Sequence, residues 1–533
     1  MKKSLIGLLS LLLLTSCNNL ASSSNSHNLT SDLSNNKREI SWYRMPVISS
    51  FLKEKFALSD FGSVTIQEID GRTFNYELEK SNYSDFSNVD YFSMNEQTIT
   101  ANYEELSIDF KFTLKEKEVN LSSVELVKAM GVGYNLGDTF ESDIGNYFTN
   151  ANPTYAKAIY DELGYSDIDG KPDELFCEVR QHYTPYRGKT TQNTIRAIYD
   201  KGFRSIRIPV AWSNHMENGN ISTRWMNRIK EVVDYCFKYK DLYVILTLME
   251  PPSFSGYWLD NEHKETTETL VKNVWTQVSK EFARHDYRLI FENLNEPLHY
   301  KYQWQMSSVM ETNPEAYKEA NENLMYLNQL FVDTVRKSKE TNNKNRFLTV
   351  NTYGNMAYLA YEEKVNKISK FSFPLDNATD KLLFNVHGYN PYNYVYGKSD
   401  SWSSSANNSD TSGIVGLFNN LKTNFVDKGI GVIVTEWGAV HDAKDSKERE
   451  DTRKDYYSYF MKQATTNDIG VMMWDNTAIK DSWKEGFGFL NRHKAAGIYD
   501  AMKNISNTNY DNETLWFYED ILDAMFNSYL ENK

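Results

Sequence analysis

The chain of 533 residues is long enough to bury a large hydrophobic core and to form more than one domain. Hydrophobic residues make up 40% and charged residues 24%, which is typical of globular proteins and excludes a disordered chain. The formal net charge of −14 argues against nucleic acid as the main partner, because phosphate binding needs a basic surface.

The first element in chain order is a targeting segment at residues 1–17, MKKSLIGLLSLLLLTSC. A basic start, a short apolar run and a small-residue cleavage region predict an export signal, and the apolar run is too short to span a bilayer. Its ending LTSC is similar to the lipobox of bacterial lipoproteins, which implies cleavage before Cys17 and lipidation of that residue. A plain secretory signal with an incidental cysteine is the alternative. We expect an exported, surface-exposed protein held at the bacterial cell envelope by a lipid anchor only.

Residues 18–39 are rich in Ser and Asn and poor in large apolar side chains, a composition that predicts a flexible linker. In residues 40–119, apolar and polar residues alternate in SVTIQEID, TFNYELEK, QTITANY and LSIDFKFTL. This period of two, broken by turn residues, predicts a small all-β, Ig-like domain resembling a β-sandwich. A spacer role is favoured for it, and glycan binding is the alternative.

From residue 120 to 533 the pattern changes to apolar strands alternating with amphipathic helices. The strand candidates are GVGYNLG, SIRIPVAW, YVILTLME, RLIFENLNEP, RFLTVNTYG, LLFNVHGYNPY, GVIVTEWG and IGVMMWDN. Eight β–α repeats predict an α/β fold of the (β/α)8 TIM-barrel class with an insertion at about residues 141–187. A doubly wound open sheet is the alternative, but no Gly-rich dinucleotide fingerprint follows the first strand.

Two cysteines remain after the signal segment, Cys177 and Cys236. Cys236 lies in a stretch with helical apolar spacing, which predicts a buried, small hydrophobic side chain. A disulfide between the two is compatible with export, and their spacing leaves this open.

The functional prediction depends on the carboxyl ends of the strands, where a barrel carries its active site. Several chemically active residues fall there: Arg207, Asn295, Glu296, His387, Tyr389, Glu436 and Trp474. Each one has a structural alternative when taken alone, but their convergence on one rim favours a site. The carboxylates of Glu296 and Glu436, at the ends of strands four and seven, can face each other across the barrel mouth. Glycoside hydrolysis needs such a pair, one protonated and one ionised. The aromatic content of 14% suits sugar stacking, and a large aromatic core explains it equally.

The motifs at these ends resemble glycoside hydrolase family 5, the clan of retaining cellulases and related β-glycanases. FENLNEP is similar to the family's acid/base motif and VIVTEWGA to its nucleophile motif. GFRSIRIPVAW, VHGYNPY and MMWDN are similar to its second, sixth and eighth strands, and LNQLFVDTVRKS and GFGFLNRH to segments of its cellulase-like branch. The resemblance runs in order from about Met130 to Tyr499.

The resemblance implies a role for each matching residue. Glu296 would be the general acid/base and Glu436 the nucleophile of a retaining mechanism, about 5–5.5 Å apart. Arg207 and Tyr389 would hydrogen-bond Glu436 and stabilise its charged form. The remaining roles are for sugar contacts: His387 beside the acid/base, Asn295 at the 2-hydroxyl, and Trp474 under the sugar at the cleavage point. No metal and no organic cofactor is implied.

The sequence departs from the family at the end of the third strand. Met249 and Glu250 stand where family members usually have a His-His pair that reaches the sugar, and Asp138 stands where Asn is common. Glu250 would either take over the lost hydrogen bonds or, as a third carboxylate, weaken or retune catalysis. Further candidate aromatic platforms, each with core packing as an equal alternative, are Trp258, Trp402 and Trp437.

These observations predict a monomeric, endo-acting β-1,4-glycanase that acts on cellulose-like glucan or xyloglucan through a glycosyl-enzyme intermediate. Mannanase- and xylanase-type specificities stay open, because subsite loops decide them. A catalytically impaired, glycan-binding surface lipoprotein is the alternative from another class. It depends only on the Met249-Glu250 replacement, and the intact carboxylate pair argues against it.

Overall fold

The computed structural model describes residues 37–48, 50, 56–93, 95–114, 120–142, 174–179, 188–250, 257–338, 341–405, 409–441, 446–478, 486–497 and 514–533. The chain divides into two compact units, Met1–Val119 and Asn120–Lys533, which are described separately below. The predicted signal with Cys17, the predicted linker up to residue 36 and most of the predicted insertion lie outside the described residues. Among the residues described, no helix combines the length and the apolar character needed to cross a membrane.

The first unit is built from short antiparallel strands around one apolar core. The strands are β1 (Glu39–Arg44), β2 (Val47–Ile48), β3 (Leu58–Asp60), β4 (Ser63–Gln67), β5 (Thr73–Glu77), β6 (Gln97–Tyr103) and β7 (Leu106–Phe112). They pair as β1-β4-β5, β2-β3 and β6-β7. Val64, Ile66 and Phe110 are buried in its core, as the alternation predicts. Apart from one short 3-10 helix, Lys80–Asn82, the described elements of this unit are β-strands, and an Ig-like sandwich stays a prediction. Strand β1 begins at Glu39, inside the predicted linker.

Eight parallel strands of the second unit close into a barrel, which confirms the predicted (β/α)8 class. The barrel strands are β8 (Val132–Asn135), β9 (Ser205–Val210), β12 (Tyr243–Leu248), β13 (Leu289–Glu292), β14 (Leu348–Val350), β15 (Leu382–His387), β16 (Gly431–Trp437) and β17 (Gly470–Met473). A hairpin of β10 (Met216–Glu217) and β11 (Asn220–Ile221) follows β9. The strands read as continuous apolar runs because helices cover their outer faces and side chains fill the interior.

Amphipathic helices alternate with the barrel strands. Those of eight residues or more are Ser123–Met130, Gln192–Lys201, Thr223–Phe237, Lys264–Glu281, Pro314–Arg336, Ser409–Asn424, Lys447–Thr466 and Glu519–Asn532. Shorter helical segments are Met306–Thr312, Thr341–Lys344, Glu363–Asn366, Tyr392–Val395 and Arg492–Ala496. Cys236 is buried in Thr223–Phe237, as predicted, and no disulfide joins it to the buried Cys177.

The helix Ser123–Met130 closes the amino-terminal end of the barrel. It starts with a capping box, in which Ser122 and Glu125 each bind the other's backbone N–H. Its residues Leu126 and Met130 share one apolar cluster with the strand residues Ile245 and Ile433. Because this end is filled by apolar packing, the carboxyl ends of the strands form the open mouth of the barrel.

Candidate active site

Arg207 is the centre of the buried polar network at the barrel mouth. It lies on β9 with no solvent exposure, and its Nε and Nη2 each donate to one carboxylate oxygen of Glu292 at 2.8 Å. Its Nη1 donates to Glu436 Oε1 at 2.7 Å, and its Nη2 also donates to Asn295 Oδ1 at 2.7 Å. Burial acts to lower the pKa of Arg207, but the two carboxylates raise it above its ordinary value. The guanidinium therefore stays charged and ties the ends of β13 and β16 to β9.

Glu436, on β16, is held as a fixed hydrogen-bond acceptor. Arg207 binds one of its carboxylate oxygens, and the Tyr389 hydroxyl donates to the other at 3.0 Å. Burial and the neighbouring charge of Glu436 raise the pKa of Tyr389 well above its ordinary value, so the hydroxyl keeps its proton. The Glu436 side chain is only 6% exposed, and these two donors fix the orientation of its carboxyl group.

Glu296 follows β13, and its backbone has a conformation that residues other than glycine rarely adopt. Its φ of 42° lies in the left-handed region, and its N–H donates to Asn355 Oδ1 at 2.9 Å. The Glu296 side chain is 27% exposed, against 6% for Glu436. One carboxyl group can therefore exchange protons with water, while the other is enclosed.

His387, at the end of β15, stands between the two carboxyl groups. Its Nδ1 lies 2.7 Å from Glu296 Oε1 and 3.6 Å from Glu436 Oε2. Burial acts to lower the pKa of His387, but the charges of Glu436 and Glu296 outweigh it and raise that pKa. One side-chain ligand atom from each of the three residues lies within 4.8 Å of the others. The structure thus brings Glu296 and Glu436 together across the mouth.

Asn295 is positioned by contacts on both of its polar groups. Its side-chain oxygen accepts from Arg207, and its backbone carbonyl accepts from the buried Tyr257 hydroxyl. Because the side-chain oxygen is fixed on Arg207, the amide NH2 is directed away from the guanidinium and is available to a ligand.

Trp474 lies just beyond the end of β17 with 8% of its surface exposed. A Cβ on Gly137 would lie 2.8 Å from Trp474 Cη2, so the backbone after β8 touches the indole ring. Arg492 fixes this arrangement, because its Nη1 donates to the Gly137 carbonyl at 2.8 Å and its Nη2 to the Asp475 carbonyl at 2.7 Å. Asp138 has a φ of 53°, a conformation that Asp and Asn share, which explains why the exchange is tolerated.

Glu250, at the end of β12, is held by hydrogen bonds within the protein. Its Oε1 accepts from the backbone N–H groups of Trp212 and Ser213, both at 2.9 Å, and its Oε2 accepts from the Ser213 hydroxyl at 2.6 Å. Burial raises the pKa of Glu250, and the hydrogen bonds from Ser213 and Trp212 offset part of that rise. The carboxylate therefore connects the end of β12 to the segment after β9.

The three other tryptophans predicted as sugar platforms differ in how much of their surface is exposed. Trp437 has no exposed surface and stacks on Phe460 at 4.3 Å, and Trp402 is 4% exposed. Both rings are therefore part of the core, which leaves them no face for a sugar. Trp258 is half-buried and packs edge-on against Tyr300 at 5.3 Å.

Three residues belong to the site although the sequence analysis did not predict them. Glu292 pairs with Arg207, Asn135 binds Arg207 through its Oδ1 at 3.0 Å, and Asn355 holds the backbone of Glu296. An acid inside an apolar strand is a usable signal for Glu292, because a buried carboxylate needs a charged partner. No comparable pattern marks Asn135 or Asn355.

Within the described part of the chain, two groups of side chains have the donor spacing to hold a cation. One is Glu296, His387 and Glu436, and the other is Asp260, Glu262 and His263. In the first group Arg207 already supplies positive charge to Glu436, and His387 already bonds Glu296. Proton chemistry at this pair therefore needs no added cation.

Comparisons with known proteins identify the family of the barrel unit. The family described as "Cellulase (glycosyl hydrolase family 5)" matches residues 167–480. Endoglucanase A of Ruminococcus albus is 31% identical over 391 residues, which cover 72% of this chain and 91% of that protein.

Two solved structures share the fold over most of their length. A family 5 lichenase from Caldicellulosiruptor sp. F32 is 30% identical with a TM-score of 0.60, covering 78% of this chain and 97% of that one. XEG5A, a xyloglucan-specific endo-β-1,4-glucanase from a metagenomic library solved with cellotriose, is 25% identical with a TM-score of 0.56, covering 76% and 98%.

Proposed function

The chain belongs to glycosyl hydrolase family 5, the cellulase family, and we propose that it cleaves internal β-1,4 bonds of a glucan by double displacement with retention of configuration. Family membership makes it a glycoside hydrolase of the endo-β-1,4-glucanase type. The mechanism is supported chiefly by the two facing carboxyl groups, whose ligand atoms lie within 4.8 Å of each other. That separation suits a retaining enzyme, because inverting enzymes keep the groups about 6.5–9.5 Å apart to admit a water.

In the first step the Glu436 carboxylate attacks the anomeric carbon while Glu296 donates its proton to the departing glycosidic oxygen. The donors Arg207 and Tyr389 each bind one oxygen of Glu436 and so hold this nucleophile in a fixed orientation. The greater exposure of Glu296 lets it recover a proton between turnovers.

In the second step ionised Glu296 takes a proton from a water that attacks the anomeric carbon, and the bond to Glu436 breaks. His387 shares its Nδ1 contact with Glu296 and so orients the carboxyl group in both steps. The Asn295 amide is available for the 2-hydroxyl, and Trp474 for the sugar face, at the cleavage point.

We propose cellulose-like, mixed-linkage or xyloglucan chains as substrates. Two similar proteins are described as a lichenase and as a xyloglucan-specific endo-β-1,4-glucanase, which supports this choice of substrates. Mannan and xylan are the alternative substrates. Export, lipidation at Cys17 and a monomeric state remain part of the proposal on the sequence signal alone. Labelling with radioactive palmitate in an expressing bacterium, lost in Cys17→Ala, tests the anchor.

The test is reducing-sugar release by a soluble form that begins at Asn18, on carboxymethylcellulose, mixed-linkage glucan, xyloglucan, glucomannan and xylan. Glu296→Gln and Glu436→Gln should each lose activity by roughly 100-fold or more, the range of a general acid/base contribution. NMR of the first product should show the β-anomer, which supports retention. Initial release of the α-anomer would refute it, and glycan binding without turnover would favour the impaired surface protein.

A further inference from the structure

The peptide bond between Asn295 and Glu296 is held by side chains on both of its polar groups. The Asn295 carbonyl accepts from the Tyr257 hydroxyl, and the Glu296 N–H donates to Asn355 Oδ1 at 2.9 Å. Tyr257 lies beyond the end of β12 and Asn355 beyond the end of β14. The two side chains therefore reach this peptide from the strands on either side of β13, and together they are called the peptide clamp below.

The peptide clamp acts on a strained backbone. Glu296 has a φ of 42° and Asn355 a φ of 53°, both in the left-handed region. Such a conformation persists only where the surrounding contacts hold it. Relaxation of φ at Glu296 would rotate its Cα–Cβ bond relative to the peptide and move the carboxyl group away from His387 Nδ1, which lies 2.7 Å from Glu296 Oε1. The orientation of the carboxyl group therefore depends on the contacts of the peptide.

Asn355 is itself fixed by a buried chain of polar side chains. Its Oδ1 also accepts from Asn351 Nδ2 at 2.7 Å, and its Nδ2 donates to Asn385 Oδ1 at 2.7 Å. Asn385 Nδ2 in turn donates to the Thr349 hydroxyl at 2.8 Å, and each of these four side chains belongs to a residue that is at most 1% exposed. A flipped Asn355 amide would set donors against the Glu296 N–H, so the network allows it one orientation.

Tyr257 supplies the other half of the clamp with a single hydroxyl. Its ring belongs to the apolar core of the barrel unit, and the residue is 7% exposed. Burial and the neighbouring charge of Glu250 raise the pKa of Tyr257 well above its ordinary value, so the hydroxyl keeps its proton and donates. Tyr257→Phe would therefore remove one hydrogen bond from the Asn295 carbonyl and leave the packing of the ring in place.

We infer that Tyr257 and Asn355 are positioning residues for acid/base catalysis, which aim the Glu296 carboxyl group at the glycosidic oxygen by fixing the Asn295–Glu296 peptide. In this role they act through Glu296 rather than on the substrate. The inference rests on the proposed function, because that function assigns the acid/base role to Glu296. General acid/base catalysis contributes about 10²- to 10⁴-fold to a rate, so its misalignment is measurable where the departing group needs a proton.

Two substrates with the same cellobiosyl donor separate this role from a structural one. Phenyl β-cellobioside releases a basic phenoxide that needs protonation, whereas 2,4-dinitrophenyl β-cellobioside releases an anion that leaves without a proton. For both substrates kcat/KM reports formation of the glycosyl-enzyme. We expect Tyr257→Phe to lower kcat/KM on the phenyl substrate about 5- to 10-fold, the scale of one hydrogen bond. The value on the dinitrophenyl substrate should stay within about twofold of the parent, and Asn355→Ala should show the same difference between the substrates.

Tyr353→Phe is the matched control. Its buried hydroxyl accepts from the His299 N–H at 3.0 Å and donates to the Gln303 carbonyl at 2.5 Å, so its loss leaves the clamped peptide untouched and both rates within about twofold. Equal losses on both substrates in Tyr257→Phe, or no loss on either, would overturn the inference. Glu296→Gln is the reference and should lose far more on the phenyl substrate. Equal losses in Glu296→Gln would refute its acid/base role and with it the proposed mechanism, whereas a difference in Glu296→Gln alone would refute only the clamp.

Discussion

Replacing Glu250 tests whether the departure from the family's third strand is structural or catalytic. Glu250→Ala removes the acceptor of two buried backbone N–H groups, those of Trp212 and Ser213. Each orphaned donor costs about 1–3 kcal/mol, or about 4 kcal/mol for the pair. With an unfolding entropy of about 2.1 cal/mol/K per residue over roughly 400 residues, the Tm should fall by about 5 °C.

The measurement is the Tm, obtained by monitoring thermal unfolding through fluorescence, and two milder variants are compared with Glu250→Ala. Ser213→Ala removes one hydroxyl donor, leaves the backbone contacts in place and should lower the Tm by about 1 °C. Glu250→Gln keeps an acceptor for both N–H groups and can donate to the Ser213 hydroxyl. Its kcat/KM on β-glucan should stay within about threefold of the parent, because the amide keeps the hydrogen bonds that hold Glu250 within the protein.

The Tm of Glu250→Gln, compared with that of the parent, should also depend on pH. Burial raises the pKa of Glu250 in the folded protein, so the folded state binds more protons than the unfolded state between the unfolded pKa and the higher folded one. Ionisation of Glu250 therefore costs stability as pH rises through that window, and the amide avoids the cost. The Tm of Glu250→Gln relative to the parent should increase with pH above about 4.5. A normal Tm with activity reduced more than about 10-fold would refute the structural role and indicate contact with substrate.

Three further variants probe the site. Glu292→Gln breaks a fully buried ion pair and should lower the Tm by about 4–6 °C in the same fluorescence assay. It should also lower kcat/KM about 10-fold, because Arg207 loses the partner that aims it at the nucleophile, and an unchanged rate would contradict this. Gly137→Ala puts a Cβ 2.8 Å from the Trp474 ring and should weaken cellohexaose binding measured by calorimetry, with unchanged affinity as the contrary result. The raised pKa of His387 means that its charged form stabilises the fold fully below about pH 6.5, and that this contribution is lost as pH rises through the folded pKa. The Tm deficit of His387→Gln should therefore be larger at pH 6 than at pH 9, and a deficit that grows with pH would show that the sign is wrong.

The strands of the barrel could be predicted from sequence because their signal is local. Each one is a mainly apolar run of three to seven residues, such as Tyr243–Leu248, and amphipathic helical patterns separate the runs. The strand ends could also be predicted, because each apolar run stops there, and they carry Glu296, His387 and Glu436. Strands β1 to β3 of the first unit were not predicted, because segments of two, three and six partly buried residues carry a weak alternation signal.

One error could have been avoided from local geometry. Successive side chains in a strand point to opposite faces, so a Glu436 that faces the mouth requires Trp437 to face the helix layer. The structure has this arrangement, with Trp437 stacked on Phe460 of the helix Lys447–Thr466. A platform role for Trp437 was therefore incompatible with the catalytic role predicted for its neighbour.

The sequence by itself determined the fold class, the strand ends and the identity of the two facing acids, because these follow from residue type and short-range period. Only the tertiary structure decided which groups meet: Arg207 contacts carboxylates 85 and 229 residues away. It also turned Glu250 toward Ser213 and left the Glu296 side chain more exposed than that of Glu436. The physical reason is that closure of the barrel joins strand ends that are distant in sequence, and the side chain that fills each position depends on partners that no local pattern encodes.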